Sequence, residues 1–225
     1  MKTLLFDIDG TLIVTSHTGT RALESVLKSS FGVECPNLDV AFGGRTDFSL
    51  LREVLSLNDI QPNQANFRAF SQAYRRQLPL ALHECDGEVL PGVIPLLSRL
   101  KQRDDIRCSV MTGNLRVTAT QKLDHFGLTD YFVDIFGGDF DEDRRHLARR
   151  TALFLRGTHG HESSDGTIVI GDTPADILCG LEIDASVLAV CTGQFDHCTL
   201  EAAGAHVVHS NLADVDTVFE WLTQH

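Results

Sequence analysis

Lys2-Thr3-Leu4-Leu5-Phe6-Asp7-Ile8-Asp9-Gly10-Thr11-Leu12 opens the chain with a short apolar run that ends in two carboxylates, a glycine and a threonine. The run from Thr3 to Ile8 is brief and does not alternate with polar residues, which is how a parallel strand covered on both faces reads. In open α/β sheets ligands gather outside the carboxyl ends of the strands. Asp7 and Asp9, spaced i and i+2 past such an end, therefore stand where chemistry is done. With each residue type at about one in twenty, a D-x-D-G-T pattern arises by chance in a chain of this length on the order of once in several hundred.

Working outward, similar apolar runs recur at Ile106 to Met111, Tyr131 to Phe136, Thr167 to Ile170, Val187 to Val190 and His206 to Val208. Helical patterns lie between them, at Gly92 to Leu100, Leu115 to Phe126, Arg144 to Arg156, Pro174 to Leu181 and Leu212 to Leu222. Strands alternating with helices predict an α/β fold, a doubly wound parallel sheet with right-handed crossovers. One region breaks the alternation. Ala22, Leu23, Val26, Leu27 and Phe31 form an apolar stripe closed by Gly32. Leu50, Leu51, Val54 and Leu55 form a second, with Thr46 or Asp47 as its cap, and Phe67, Phe70, Tyr74 and Leu78 a third. The pattern predicts a core domain from residues 1–14 and 87–225 and an inserted α-helical cap domain over 15–86.

The 225 residues are 43% hydrophobic, with 31 acidic side chains against 19 basic ones and a net charge of −12. That length suits one domain carrying a second, smaller one, with a core that needs no staples. The acidic balance repels phosphate backbones and anionic lipid, which argues against nucleic acid and membrane as partners. A small phosphorylated substrate stays open, because a bound metal or a local cation reverses the field at one site. Oligomeric state is left at monomer or homodimer. The cysteines at 35, 85, 108, 179, 191 and 198 contain no C-x-x-C pair and no zinc spacing, so free thiols are expected. Asp7 and Asp9 cut the N-terminal apolar run short. No signal peptide is expected, and the cytoplasm is the expected compartment.

Two further strand ends carry polar motifs that should converge with the first. Thr112-Gly113-Asn114 presents a hydroxyl and free backbone N–H groups at the opening of a helix, an arrangement that binds anions. Gly171-Asp172-Thr173-Pro174-Ala175-Asp176 adds two carboxylates, with Pro174 suited to a first helical turn. Asp7, Asp9 and Asp172 can supply the hard oxygens that Mg2+ requires, with Asp176 one turn on to orient rather than ligate.

The order D-x-D-G-T, then hydrophobic-Thr-Gly-Asn, then a basic residue, then Gly171-Asp172-Thr173-Pro174-Ala175-Asp176 resembles the haloacid dehalogenase superfamily. It is most similar to the phosphoglycolate-phosphatase-like branch with a helical cap. Phe42-Gly43-Gly44-Arg45-Thr46-Asp47 and Leu90-Pro91-Gly92-Val93 also look like that branch. The resemblance implies a Mg2+-dependent phosphatase acting on a small phosphorylated metabolite, phosphoglycolate-like or a sugar phosphate. It makes Asp7 the nucleophile, forming an aspartyl-phosphate, and Asp9 the general acid and later base, whose carbonyl oxygen also ligates the metal. It gives Thr112 and Gly113 the phosphoryl group to hold, and Arg45 an anionic group on the leaving portion.

The chain departs from the commoner pattern in having no Lys-Pro segment before the last motif. Asp143-Arg144-Arg145-His146-Leu147 lies where that cation is expected. Arg144 is chosen because Arg-x-x-Leu leaves Leu147, Thr151 and Ala152 on the inward face; Arg145 and Arg149 remain alternatives. His17, Thr18 and Gly19 mark the crossing into the insert, where a hinge is expected. His159 to Asp165, with metal-like spacing on paper, reads as a solvated loop. Carbon–halogen hydrolysis is disfavoured by Asp9, since displacing halide needs no leaving-group acid. A phosphomutase keeps both aspartates and remains the alternative. A phospho-accepting receiver domain is roughly half this length.

Overall fold

The computed structural model describes residues 1–159 and 166–224. β1 (Lys2–Phe6) ends at Asp7, and a tight turn leads into β2 (Ile13–Thr15). Then come α1 (Thr18–Phe31), α2 (Asp47–Leu57) and α3 (Gln64–Glu84), before the chain returns along β3 (Gly87–Val89). Beyond β3, helices and strands alternate. α4 (Val93–Leu100), β4 (Ile106–Met111), α5 (Arg116–His125), β5 (Ile135–Phe136) and α6 (Arg144–His159) precede β6 (Thr167–Gly171). α7 (Pro174–Glu182), β7 (Ser186–Val190), α8 (His197–Ala202), β8 (Val207–His209) and α9 (Val215–Gln224) complete the described chain.

Six strands form one sheet in the order β5-β4-β1-β6-β7-β8, every ladder parallel. The chain builds outward from β1 to one side through β4 and β5, then crosses back to build the other side from β6. The order reverses at β1, and the crevice at such a switch point is where ligands bind in this architecture. The strands carrying the three motifs, β4, β1 and β6, are neighbours for that reason.

Side-chain alternation along the strands sorts the core into two layers. Leu4 and Phe6 of β1, Ile168 and Ile170 of β6 and Leu188 and Val190 of β7 face Leu96 and Leu97 of α4, Leu123 of α5 and Leu222 of α9. Leu5, Val169, Val187 and Ala189 face the opposite way, against Leu147 and Leu155 of α6, Ile177 of α7 and Leu200 of α8. The sheet is doubly wound, as the alternation of apolar runs predicts.

The inserted helices gather round a third cluster, to which α1 gives Leu23 and Leu27, α2 Leu51 and Leu55, and α3 Phe70 and Leu78. Gly32 closes α1 in the left-handed conformation, and Thr46 caps α2 by accepting a hydrogen bond from the Ser49 N–H.

The structure departs from the sequence reading in several places. Of the run Tyr131 to Phe136 only Ile135 and Phe136 pair in the sheet, and Thr129–Tyr131 form a short 3-10 turn. Phe132 there packs edge-on against Phe6, so burial rather than a ladder accounts for its apolar character. β2 and β3, an antiparallel ribbon at the root of the insert, and α8 were not anticipated. Residues 160–165, the greater part of the His159 to Asp165 run, lie outside the described residues.

Candidate active site

At the exit of β1 the chain is held by the Asp7 N–H, which donates to the Ile170 carbonyl at 2.9 Å, and by buried Ile8, whose carbonyl accepts from Leu12 and Ile13. Gly10 sits at φ 82°, and a methyl group there would fall inside the carboxylate of Asp172. Only glycine allows this turn to close over the β6 motif. Thr11 donates its hydroxyl to Oδ1 of Asp172 at 3.0 Å, tying the first motif to the last.

Past β6, Thr173 and Asp176 form a capping box at the start of α7, with Pro174 in the first turn. The Thr173 N–H and hydroxyl donate to Oδ2 of Asp176 at 3.1 and 2.7 Å. That leaves Oδ1 of Asp176 for the Nη2 of Arg144. Arg144 opens α6, where Asp143 accepts from the N–H groups of Arg145 and His146. The guanidinium is buried; its Nη1 lies 3.5 Å from Oδ1 of Asp7, and its Nε is buried without a partner. Arg145, Arg149 and Arg150 are exposed: Arg149 pairs with Glu182, and Arg150 with Asp141 and the Gly137 carbonyl.

Carboxylate oxygens of Asp7, Asp172 and Asp176 lie within 4.8 Å of one another, all buried. Burial, then repulsion from Asp176, raises the Asp7 pKa to about 7, against the opposing pull of Arg144. Burial, then Asp176 and Asp7, raises Asp172 to about 9. Burial opposes the charge on Arg144, yet Asp176 and Asp7 more than offset it and hold its pKa above the ordinary value. One buried guanidinium thus faces three carboxylates. The site is short of positive charge, and its donors are the hard oxygens that a divalent cation such as Mg2+ prefers.

At the exit of β4, Thr112 and Asn114 are buried, and the Asn114 N–H and Nδ2 both reach the Thr112 hydroxyl. The Gly113 carbonyl accepts the Asp47 N–H at 2.7 Å, and the Thr46 hydroxyl donates to the Asp141 carbonyl at 2.6 Å. The start of α2 is therefore bolted onto the loop that carries Thr112. A methyl group on Gly113 would overlap the Arg45 carbonyl. Gly113→Ala should cost about 1–3 kcal/mol through this overpacking, checked by denaturant unfolding; unchanged stability would show that α2 does not rest on this loop.

Asp7, Asp9, Thr112, Gly113, Arg144, Asp172 and Arg45 all line one cavity of ≈ 440 Å³ between the strand ends and the inserted helices, while Asp176 stands behind Arg144. Arg45 is turned toward Glu53, 2.5 Å away, and Ser49. His17 is exposed in the left-handed region and starts α1 away from the cavity lining.

Sequence reasoning missed Lys122, whose Nζ lies 2.8 and 2.6 Å from the two carboxylate oxygens of Asp9. The available signal was a lysine on the same helical stripe as Leu115, Ala119 and Leu123. It also missed Asp47, which accepts the Leu115 N–H at 2.8 Å and whose pKa burial raises to about 6. The third omission was Tyr74, a buried side chain that borders the cavity from α3.

The model of the haloacid dehalogenase-like hydrolase family matches residues 4–180. A phosphoglycolate phosphatase of Agrobacterium fabrum is 28% identical over 227 residues, 97% of this chain and 92% of that one. A phosphoglycolate phosphatase of Rhodobacter capsulatus is 30% identical over 166 residues, 68% of this chain and 74% of that one. Among solved structures, CbbY from Rhodobacter sphaeroides in complex with phosphate shares the fold, with a TM-score of 0.72, 18% identity and 96% of each chain covered. Since the family match runs from β1 into α7 and takes in all three strand-end motifs, this chain belongs to the haloacid dehalogenase-like hydrolase family.

Proposed function

We propose that the protein is a Mg2+-dependent phosphatase that hydrolyses a small phosphorylated metabolite, phosphoglycolate-like or a sugar phosphate, through an aspartyl-phosphate on Asp7. The observation that carries this reading is the cavity at the strand ends, where the Asp7 carboxylate lies 3.5 Å from the buried Arg144 guanidinium and Thr112 and Gly113 line the same space. A guanidinium bordering that space can offer charge-assisted hydrogen bonds to an anion. The two curated relatives named above act in the same sense by name, and the chain spans most of their length.

In the first step an Asp7 carboxylate oxygen bonds to phosphorus as the bond to the alcohol oxygen breaks, and Asp9 gives that oxygen its proton. In the second, water passes a proton to Asp9 and its oxygen bonds to phosphorus. Inorganic phosphate leaves and Asp7 is free again. The Thr112 hydroxyl and the Gly113 N–H hold phosphoryl oxygens, and Arg144 offsets their charge. Asp7, Asp172 and the Asp9 carbonyl would hold Mg2+, with Asp176 fixing Arg144; the ion, when bound, neutralises phosphoryl charge. Residues 15–86 act as a cap over a core of 1–14 and 87–225, and Arg45 exchanges Glu53 for an anionic group on the alcohol side. The enzyme works in the cytoplasm, which its free thiols suit. The net charge of −12 disfavours nucleic acid and anionic membrane as partners; among the described residues no helix is long and apolar enough to cross a membrane.

Purified protein with Mg2+ should release inorganic phosphate from 2-phosphoglycolate or from a sugar monophosphate in a panel of phosphorylated metabolites. Chelation should stop release and added Mg2+ restore it. Release that survives chelation overturns the metal assignment. Sugar phosphates interconverted without net phosphate release would make the enzyme a mutase.

A further inference from the structure

Asp9 is held from beneath by a side chain that the proposed chemistry leaves without a task. Lys122, on the buried face of α5, places its ammonium 2.8 and 2.6 Å from the two carboxylate oxygens of Asp9 and 2.8 Å from Oδ1 of Asn114. Three acceptors occupy the three donors of an ammonium group. Asn114 closes the ring, its Nδ2 donating to Oδ2 of Asp9 at 2.7 Å and to the Thr112 hydroxyl at 2.9 Å.

Two features set the direction of this arrangement. The Lys122 side chain is 6% exposed while that of Asp9 is 41% exposed, so the lysine borders the cavity from a nearly buried position and the carboxylate keeps an edge open to it. With its donors taken, Lys122 has none left for a substrate anion. A buried ammonium is costly unless it is paired, and here the pairing is made to a carboxylate at the catalytic mouth.

We propose that Lys122, acting with Asn114, is a positioning residue that fixes the Asp9 carboxylate for both proton transfers. This rests on the phosphatase reading above. Without the lysine, Asp9 turns about its side-chain bonds under repulsion from Asp7 and Asp172, and the Asn114 amide loses the partner that sets its orientation.

Two substrates separate the steps. p-Nitrophenolate leaves phosphorus without needing a proton, whereas the alkoxide of β-glycerophosphate needs one. In Lys122→Met, p-nitrophenyl phosphate should give a rapid burst of about one p-nitrophenolate per enzyme, then turnover slowed about 10²-fold, because only water activation still depends on Asp9. With β-glycerophosphate the same variant should show no burst and a comparable fall in kcat, with KM changed less than about threefold. Lys122→Arg should recover at least tenfold over Lys122→Met. Wild-type turnover of both esters by Lys122→Met overturns the inference alone. So does a parallel loss on both without a burst that Lys122→Arg fails to rescue. Wild-type enzyme inactive on both esters overturns the phosphatase reading and this inference with it.

Discussion

Asp7→Asn is expected to lower turnover of p-nitrophenyl phosphate on the order of 10⁴-fold or more, while raising the melting temperature of the protein in metal-free buffer. The first effect follows because an amide does not attack phosphorus and no neighbouring group is placed to do so instead. The second follows from the charge balance. Asp7 is buried beside Asp172 and Asp176, and burial, then repulsion from Asp176, lifts its pKa to about 7 against the pull of Arg144. Asparagine fills nearly the same space without the charge, and Arg144 keeps Asp176 as its partner. Each kcal/mol gained would raise the midpoint by about 2–4 °C for a chain of this size.

The same variant separates binding from chemistry. Ligands that favour the folded state raise its midpoint, so Mg2+ should stabilise the wild type and stabilise Asp7→Asn less, one oxygen donor having been removed. Retained turnover would sink the role of Asp7 as nucleophile. A midpoint that falls in metal-free buffer would show that the Asp7 carboxylate is worth more to Arg144 than it costs beside its acidic neighbours.

The parts of the fold that were legible in the sequence are those where one physical signal stands alone. The β1, β6 and β7 runs are largely apolar on both faces and the ends of β1, β4 and β6 carry the polar motifs, so a buried parallel sheet with a site at its carboxyl edge could be read directly. Arg144 was preferred, with Arg145 and Arg149 left as alternatives, because its spacing to Leu147 and Thr151 suits an inward face of α6; the structure buries Arg144 and leaves the other two exposed. The rest was hidden by signals that are weak or shared. β2 and β3 are three residues each and depend on pairing between residues 13–15 and 87–89, which no local pattern reports. Lys122 lies on the buried stripe of α5 with Ala119 and Leu123, but that stripe does not name its partner, and Asp9 is 113 residues away. Asp47 reads as a first-turn helix residue, while its acceptor role spans 68 residues to Leu115.

Arg144→Ala should cost about 10³-fold or more in turnover, while Arg149→Ala should stay within about threefold of wild type. Stabilising the phosphoryl oxygens is commonly the largest electrostatic contribution to phosphoryl transfer, and a buried arginine loses little of it to solvent. Arg149 is exposed and paired with Glu182, a surface contact worth under about 1 kcal/mol. Alanine at 144 also strips Asp7 and Asp176 of their shared counter-charge, and leaving buried charges unpaired costs about 3–5 kcal/mol, so inactivity of that variant by itself does not distinguish a lost phosphate contact from a lost fold. Arg144→Lys makes the distinction. A lysine keeps the positive charge that the cluster needs to fold, but its compact ammonium lacks the planar fork that reaches Asp7 and Asp176 with separate nitrogens. That variant should keep a melting temperature near wild type, with kcat lowered and lying between wild type and Arg144→Ala. Wild-type turnover by Arg144→Lys would mean that the site needs only a charge and not the fork. Activity surviving in Arg144→Ala but lost in Arg149→Ala would move the phosphate contact to the outer face of α6, against the burial that places Arg144 beside Asp7.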